Sequence, residues 1–469
     1  MLLSTQTMAL DGAGRHCGTL PQDVRPIALA EALAAAYNDN PQLLAARQEL
    51  RKSLAQKVGA LSGFLPSANF SMQAEHYVSQ RPAGTPVTVG STVVGGQSSS
   101  YTSYPSLGLN WNLYAGGRDA AGYTGAQAGI RASAKEVERQ TGATLMAVLG
   151  AYADLLKAQG AADQQQGTLE TLRAIRERSE QRLRQGRDSL ITTQQATLNL
   201  LQGEQEYHSA CKSLSDKSAA LAQAIGLRPG RASLLEATGS LPDAIDTSVD
   251  PTGFEALTEQ DPAVRSAFEK IEVARNKVEQ ARAAFKPTIA LVARYDALGQ
   301  SPGSFTDAFN ATGKTGYRVG LVLQQSLGPF TTEYANVESS QAELLKAQAA
   351  YDEALTAADA RLRSAWNARR QTSLALESAK RLVLSAKQLV ALVRQTYEQG
   401  RANLDAVDQA LMTLSKQNDL LWQRSIENQM MALQLNLAVD SNAFVEQVVK
   451  LFADPAETPK NISSTGIQH

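Results

Sequence analysis

Few side chains in this 469-residue chain stand at spacings that could do chemistry. The four histidines, His16, His76, His208 and His469, are scattered, and no two share the spacing of a metal site. Gly313-Lys314-Thr315 imitates the end of a phosphate loop, but Ala308 stands where the first glycine should be and the segment leads into a strand pattern. Cys17 and Cys211 form no C-x-x-C pair and are too few for a disulfide framework. Gly14-Arg15-His16 before Cys17 also lacks the small and aliphatic residues of a lipidation site. No enzyme activity, metal or cofactor is expected. Arg401, Asp405 and Asp408, with Tyr397 just before them, stand close together in sequence, and on residues alone the acids read as favourable charges near a helix N-terminus.

Composition narrows the classes further. Lys+Arg 45 against Asp+Glu 46 leaves no basic excess for phosphate neutralisation, so nucleic acid is not an expected partner. No apolar run reaches the ~18 residues of a membrane helix, so any span has to be made of strands. The opening MLLSTQTMAL has no basic region and a weak apolar segment. Residues 1–27 therefore read as a signal or flexible segment.

The elements that position the acidic group come as a tandem duplication. Pro41 and Pro66 of the first copy return as Pro262 and Pro287, with one and the same offset along the chain. Gln185-Gly186-Arg187-x-x-Leu190 returns in the second copy as Gln399-Gly400-Arg401-x-x-Leu404. The repeats span about 28–235 and 236–440. Each opens with a helix of about two dozen residues that ends at a proline, which cannot extend it. Two period-two stretches follow around a Gly/Ser/Thr-rich loop, at about 66–79 and 101–114, then about 287–298 and 315–327. Ala68, Phe70, Met72 and Ala74 alternate with polar residues, as do Leu107, Leu109, Trp111 and Leu113. In the second copy, Ile289, Leu291, Ala293 and Tyr295 alternate with a less polar set, and the inward face there is open to either assignment.

A helical hairpin without internal proline closes each repeat, at about 115–226 and 329–439. Its first helix spans on the order of 100 Å at ~1.5 Å per residue. In the second copy Leu355, Leu362, Leu376, Val383, Val390 and Tyr397 face Tyr351, Ala358, Ala365, Ala379, Ala386 and Val393 in heptads that Arg369 and Thr372 interrupt, a large-to-small seam suited to close packing. The QGR turns are the far ends of the hairpins. The proline-containing tail, 441–469, reads as flexible.

Four strands cannot close a barrel, and an open edge is not tolerated in lipid. Several copies would solve this: two supply 8 strands and three supply 12, both within the range of outer-membrane barrels. A soluble coiled-coil scaffold with two small sheets is the alternative from pattern alone. The Asn40-Pro41 start, Leu65-Pro66, the Leu113-Tyr114-Ala115-Gly116-Gly117-Arg118 strand exit, Ala151-Tyr152 and the duplicated glycine turn, in this order, resemble the TolC family of outer-membrane export channels over about residues 28–440.

The resemblance implies a mainly α protein with membrane β-strands. It would be a homotrimer, with a 12-stranded barrel in the outer membrane of a Gram-negative bacterium on a coiled-coil α-helical tunnel through the periplasm. Its expected partners are further copies of itself, outer-membrane lipid, a periplasmic adaptor, and an inner-membrane ABC transporter or proton-driven pump. It also implies a periplasmic gate with an acidic ring at Tyr397, Arg401, Asp405 and Asp408, with Thr192 near a gate partner in copy one. The turn residues Gly186, Arg187, Gly400 and Arg401 would contact the adaptor. The segment at Gly400-Arg401 is one residue shorter than the family pattern, which leaves the gate's bonding open. AGGR and the NPQLLAAR start favour type I secretion of a protein, a repeat-rich toxin among the candidates, over small-molecule efflux.

Overall fold

The computed structural model describes residues 17, 24–79, 87–89, 92–94, 98–187, 189–227, 234–242, 253–399, 401 and 404–451. In chain order the first repeat holds β1 (Arg25–Ala28), α1 (Leu29–Asp39), α2 (Pro41–Leu61), β2 (Ser67–Ser79), β3 (Val87–Val89), β4 (Thr92–Val94), β5 (Ser98–Ala115), α3 (Arg118–Arg184), α4 (Leu190–Ile225) and β6 (Leu235–Thr238). The second holds α5 (Phe254–Thr258), α6 (Pro262–Arg282), β7 (Thr288–Ser301), α7 (Phe305–Asn310), β8 (Lys314–Gln324), α8 (Thr331–Glu398) and α9 (Leu404–Val439), and α10 (Ser441–Lys450) follows it. Two compact units form: one from Met1–Leu50, Ser133–Ser266 and Asp352–His469, the other from Arg51–Ala132 and Ala267–Tyr351.

The duplicated prolines act alike. Asn40 Oδ1 accepts from the backbone N–H of Gln42 (2.9 Å) and Leu43 (3.3 Å). Asp261 Oδ1 accepts from Ala263 N–H at 2.7 Å. Each cap precedes a proline at the first helical position, where the missing N–H costs nothing. Pro66 and Pro287 then release the chain into β2 and β7 after a single 3₁₀ turn.

In the unit holding the strands, β2-β5-β7-β8 form one antiparallel sheet, and β3 pairs with β4. Register settles the face that the sequence left open. Phe70 pairs with Leu107, Leu107 with Tyr295 and Tyr295 with Tyr317, so the apolar sets of all four strands share one face. On β8 that face is almost bare: Tyr317 is 87% exposed, and Val319, Leu321 and Leu323 are each near two thirds exposed. Among the described residues neither β2 nor β8 has a second neighbour, so both edges carry unpaired backbone groups.

The other unit packs helices around Tyr152, which is fully buried among Leu33, Leu149, Leu221, Leu433 and Phe444. Its hydroxyl donates to Thr238 O at 2.6 Å and lies 3.3 Å from Ile27 O, which ties α3 to both strands of the parallel β1–β6 pair. Large side chains face small ones between the long helices. A Cβ on Gly160 would come within 2.6 Å of Trp422, so only glycine admits α9 this close to α3. Of the heptad seam, Ala358, Leu362, Ala365, Ala379, Val383, Ala386 and Val390 are buried, Tyr351, Leu355, Leu376 and Val393 are half-buried, and Tyr397 is exposed.

Three sequence expectations need correction. Arg25–Ala28, within the segment read as signal or flexible and the residue after it, is strand β1, because its partner β6 lies at the far end of the first repeat and no local pattern announces it. Ser441 to Lys450, read as the start of a flexible tail, is helix α10; Asp440 caps it through Asn442 and Ala443, and Phe444 and Val448, one helical turn apart, are buried. Residues 452–469 of that tail lie outside the described residues. Cys17 and Cys211 are disulfide-bonded across a separation of 194 residues, which two cysteines so far apart in sequence gave no cause to expect. A disulfide belongs to an oxidising compartment and leaves Cys17 no thiol for a lipid.

Two outcomes follow. Burial pushes the Tyr152 phenol up to about 12 from the usual 10.0. The neutral phenol is therefore favoured in the folded state, and its contribution is complete below pH 10 and lost as pH rises through about 12. Tyr152→Phe should destabilise the fold at neutral pH by about 1 kcal/mol for the lost hydrogen bonds, seen as a lower Tm, and should flatten the fall in stability as pH rises from 10.0 to about 12. An unchanged slope in pH-dependent thermal melts would refute this. Intact protein should take up no maleimide until it is reduced, and then two per chain by mass; labelling without reduction would exclude the bond.

Candidate functional site

The first hairpin turn is closed by the helix end itself. Gly186 has φ 68°, the left-handed region that glycine enters freely. Its N–H bonds Leu183 O at 2.9 Å while Arg187 N–H bonds Arg182 O at 2.9 Å, a Schellman cap on α3. Ser189 then caps α4, its Oγ accepting from Thr192 N–H at 3.1 Å and lying 2.8 Å from Thr192 Oγ1. Further in, Ser179 Oγ and Thr193 Oγ1 meet at 3.1 Å in a buried pair that ties the two helices together just behind the turn.

The second turn repeats the first. Arg401 N–H bonds Thr396 O at 2.9 Å, the same six-residue closure that Arg187 makes to Arg182. Gly400 itself lies outside the described residues. Leu404 opens α9, which places Asp405 and Asp408 in its first turn and a half, at an i, i+3 spacing and so on one face. Their side chains lie outside the described residues. Arg187 and Arg401 are exposed, as is Tyr397 on the last turn of α8.

The residues picked from sequence thus gather at two turns with the same geometry. Thr192 bonds Ser189 and belongs to a helix cap. What sequence reading missed lies on both sides of these turns. Leu190 and Ile191 are 72% and 82% exposed directly after the first turn, an apolar pair at a helix start where a solvated end would be polar. In α9, Asp419 is partly buried with its Oδ2 lacking a hydrogen-bond partner, and that burial pushes its carboxyl up. The signal for Asp419 was present in Leu420-Leu421-Trp422, the apolar run that follows it. Among the described residues no cluster of His, Cys, Asp or Glu could hold a metal, and no helix is long and apolar enough to cross a membrane.

Comparison with known proteins places these elements. The pattern of the family described as Outer membrane efflux protein matches residues 32–227 and 254–438, one segment for each repeat. Among solved structures, the outer membrane protein VceC from Vibrio cholerae superposes with TM-score 0.68 at 19% identity, covering 88% of this chain and 95% of that one. The CmeC outer membrane channel of Campylobacter jejuni gives TM-score 0.72 at 18% identity over 91% and 90% of the two chains. The MtrE outer membrane channel of Neisseria gonorrhoeae, in its open state, gives 0.67 at 20% identity over 88% of each. No curated protein matches at a significant level.

If the acidic pair sets the field at the second turn, Asp405→Asn/Asp408→Asn should reduce cation preference in reconstituted protein, read as a reversal-potential shift in a salt gradient. It should also weaken block by a trivalent cation. Unchanged values in both measurements would place the charge-selective constriction elsewhere.

Proposed function

We propose that this chain, which belongs to the outer membrane efflux protein family, is the outer-membrane exit duct of a multi-component export machine. The single observation that carries this is the sheet. Its four strands share an apolar outer face with β8 almost bare, and among the described residues both edges are unpaired. Backbone groups left open in hydrocarbon cost several kcal/mol each, so such a sheet is stable in a membrane only when further copies complete the cylinder. Three copies give 12 strands, of a length that crosses a bilayer. Exposed Leu198, Leu201, Leu382, Leu384, Leu389 and Leu392 along the hairpins supply apolar surface for the same neighbours.

The hairpin turns are the contact points for a periplasmic adaptor, with the exposed Arg187 and Arg401 beside the bare Leu190 and Ile191 offering charged and apolar contacts together. The energy comes from an inner-membrane pump, in keeping with Lys314-Thr315 opening strand β8 rather than ending a phosphate loop. Small toxic molecules are the cargo this reading favours, in keeping with the efflux description of the family. Export of a protein by a type I route is the second reading, and the Ala115-Gly116-Gly117-Arg118 strand exit is the feature that favours it.

Detergent-extracted protein should run as a trimer by mass and give stable conductance steps in a planar bilayer. A monomer that is soluble without detergent and makes no pores would overturn the channel reading in favour of a coiled-coil scaffold. For the cargo, cells lacking the gene should become hypersensitive to amphipathic toxic compounds with an unchanged set of secreted proteins. The reverse pattern would establish the protein-export reading instead.

A further inference from the structure

The register of the sheet brings together charged residues from strands that are distant in sequence. On the face opposite the apolar set, Arg294 and Asp296 of β7 stand beside Arg318 of β8, with Arg294 directly paired to Arg318. Arg294 Nε donates to Asp296 Oδ1 at 2.5 Å, and Arg318 reaches Asp296 Oδ2 at 3.6 Å. Arg294 also donates to Ser106 Oγ of β5 at 3.4 Å, and that hydroxyl meets Ser71 Oγ of β2 at 2.7 Å. One polar rung therefore crosses all four strands.

Three features make this more than a cross-strand ion pair. Two guanidinium groups share a single carboxylate, so the rung carries a net positive charge in each copy, and Asp296 is only 17% exposed while Arg318 is 77% exposed. Room is left for something else to approach: Gly316 and Gly320 flank Arg318 on the same face of β8, and a Cβ on either would meet nothing within 4 Å. Charged side chains inside a membrane span are costly and face a water-filled path rather than lipid. The nearest opposing charge on the inner face of β2, Glu75, is ~13 Å along the strand from Ser71. That exceeds the Debye length of ~8 Å at physiological salt.

We infer that Arg294 and Arg318 form a basic belt on the inner face of the barrel that binds multivalent anions carrying phosphate or carboxylate groups, and so makes the outer exit anion-preferring. The inference rests on the channel reading above. Asp296 is the positioning residue: it bonds Arg294 at 2.5 Å and lies 3.6 Å from Arg318, whose side chain stays 77% exposed. Guanidinium suits this task because its planar fork pairs with phosphate or carboxylate oxygens two at a time. Rings of arginine or lysine are a general means of selecting anions in pores.

The test is single-channel block of the full-length protein by tripolyphosphate, added to each side of the bilayer in turn. Block from one side is expected, with at least a tenfold rise in the half-blocking concentration for R294Q/R318Q and a smaller rise for R318Q alone. R318K should keep most of the block, since it keeps the charge. R318Q also guards against misfolding of the double variant, because the Arg318 side chain is largely exposed. Equal block in parent, R318Q and R294Q/R318Q would overturn the belt while leaving the channel intact. Parent protein that makes no pores at all would overturn the channel reading itself, and the belt with it.

Discussion

A four-stranded antiparallel sheet whose two edges have no further neighbour among the described residues, and whose apolar face is almost bare on β8, is the constraint from which the rest of the molecule follows. Unpaired N–H and C=O groups on β2 and β8 are tolerable in water but not in hydrocarbon. The apolar face excludes the opposite solution, a sheet left open in water. Closure by further copies satisfies the edges and the face together, and no rearrangement within one chain can, because four strands are too few to enclose their own side chains. Once closure is required, the polar face becomes the inside by elimination. Asp296 and its two arginines are then compatible with a membrane only because they look into water.

The helical part meets a different demand, which is to hold very long helices in register without a thick core. Helices α3 and α8, of 67 and 68 residues, belong to repeats that use the same local devices. An Asn or Asp cap before proline starts α2 and α6, a six-residue turn closure at Arg187 or Arg401 ends α3 and α8, and small residues admit large ones between. Duplication lets one solution serve twice. Tyr152 breaks the symmetry, since it is the point where α3 grips strands from both ends of the first repeat. The Cys17–Cys211 bond secures the start of the chain to α4 covalently, where the described strand β1 has just four residues of its own.

What the sequence made legible is whatever repeats or alternates locally. The strands and hairpins follow from period-two and heptad patterns that a single segment carries by itself, and the turns follow from a motif present twice. What stays hidden depends on partners far away in the chain. β1 needs β6, Cys17 needs Cys211, and nothing within Arg25–Ala28 or around Cys17 signals either. Helix α10 is masked because the polar tail beyond it outweighs Phe444 and Val448. At the candidate site, the turns can be found from glycine and arginine, but the belt cannot. Arg294 and Arg318 look like isolated charges on two separate strands until the register pairs them.

The two charged places differ in how the chain holds them, and that difference bears on what each can do. Asp405 and Asp408 lie in the first turns of α9, where a helix N-terminus favours negative charge. The arginines on the sheet are held differently, by one nearly covered carboxylate across the strand ladder: Arg294 bonds Asp296, and Arg318 lies 3.6 Å from it. A charge that must respond to a partner belongs on a hairpin turn, and a charge that must select without moving belongs on a sheet.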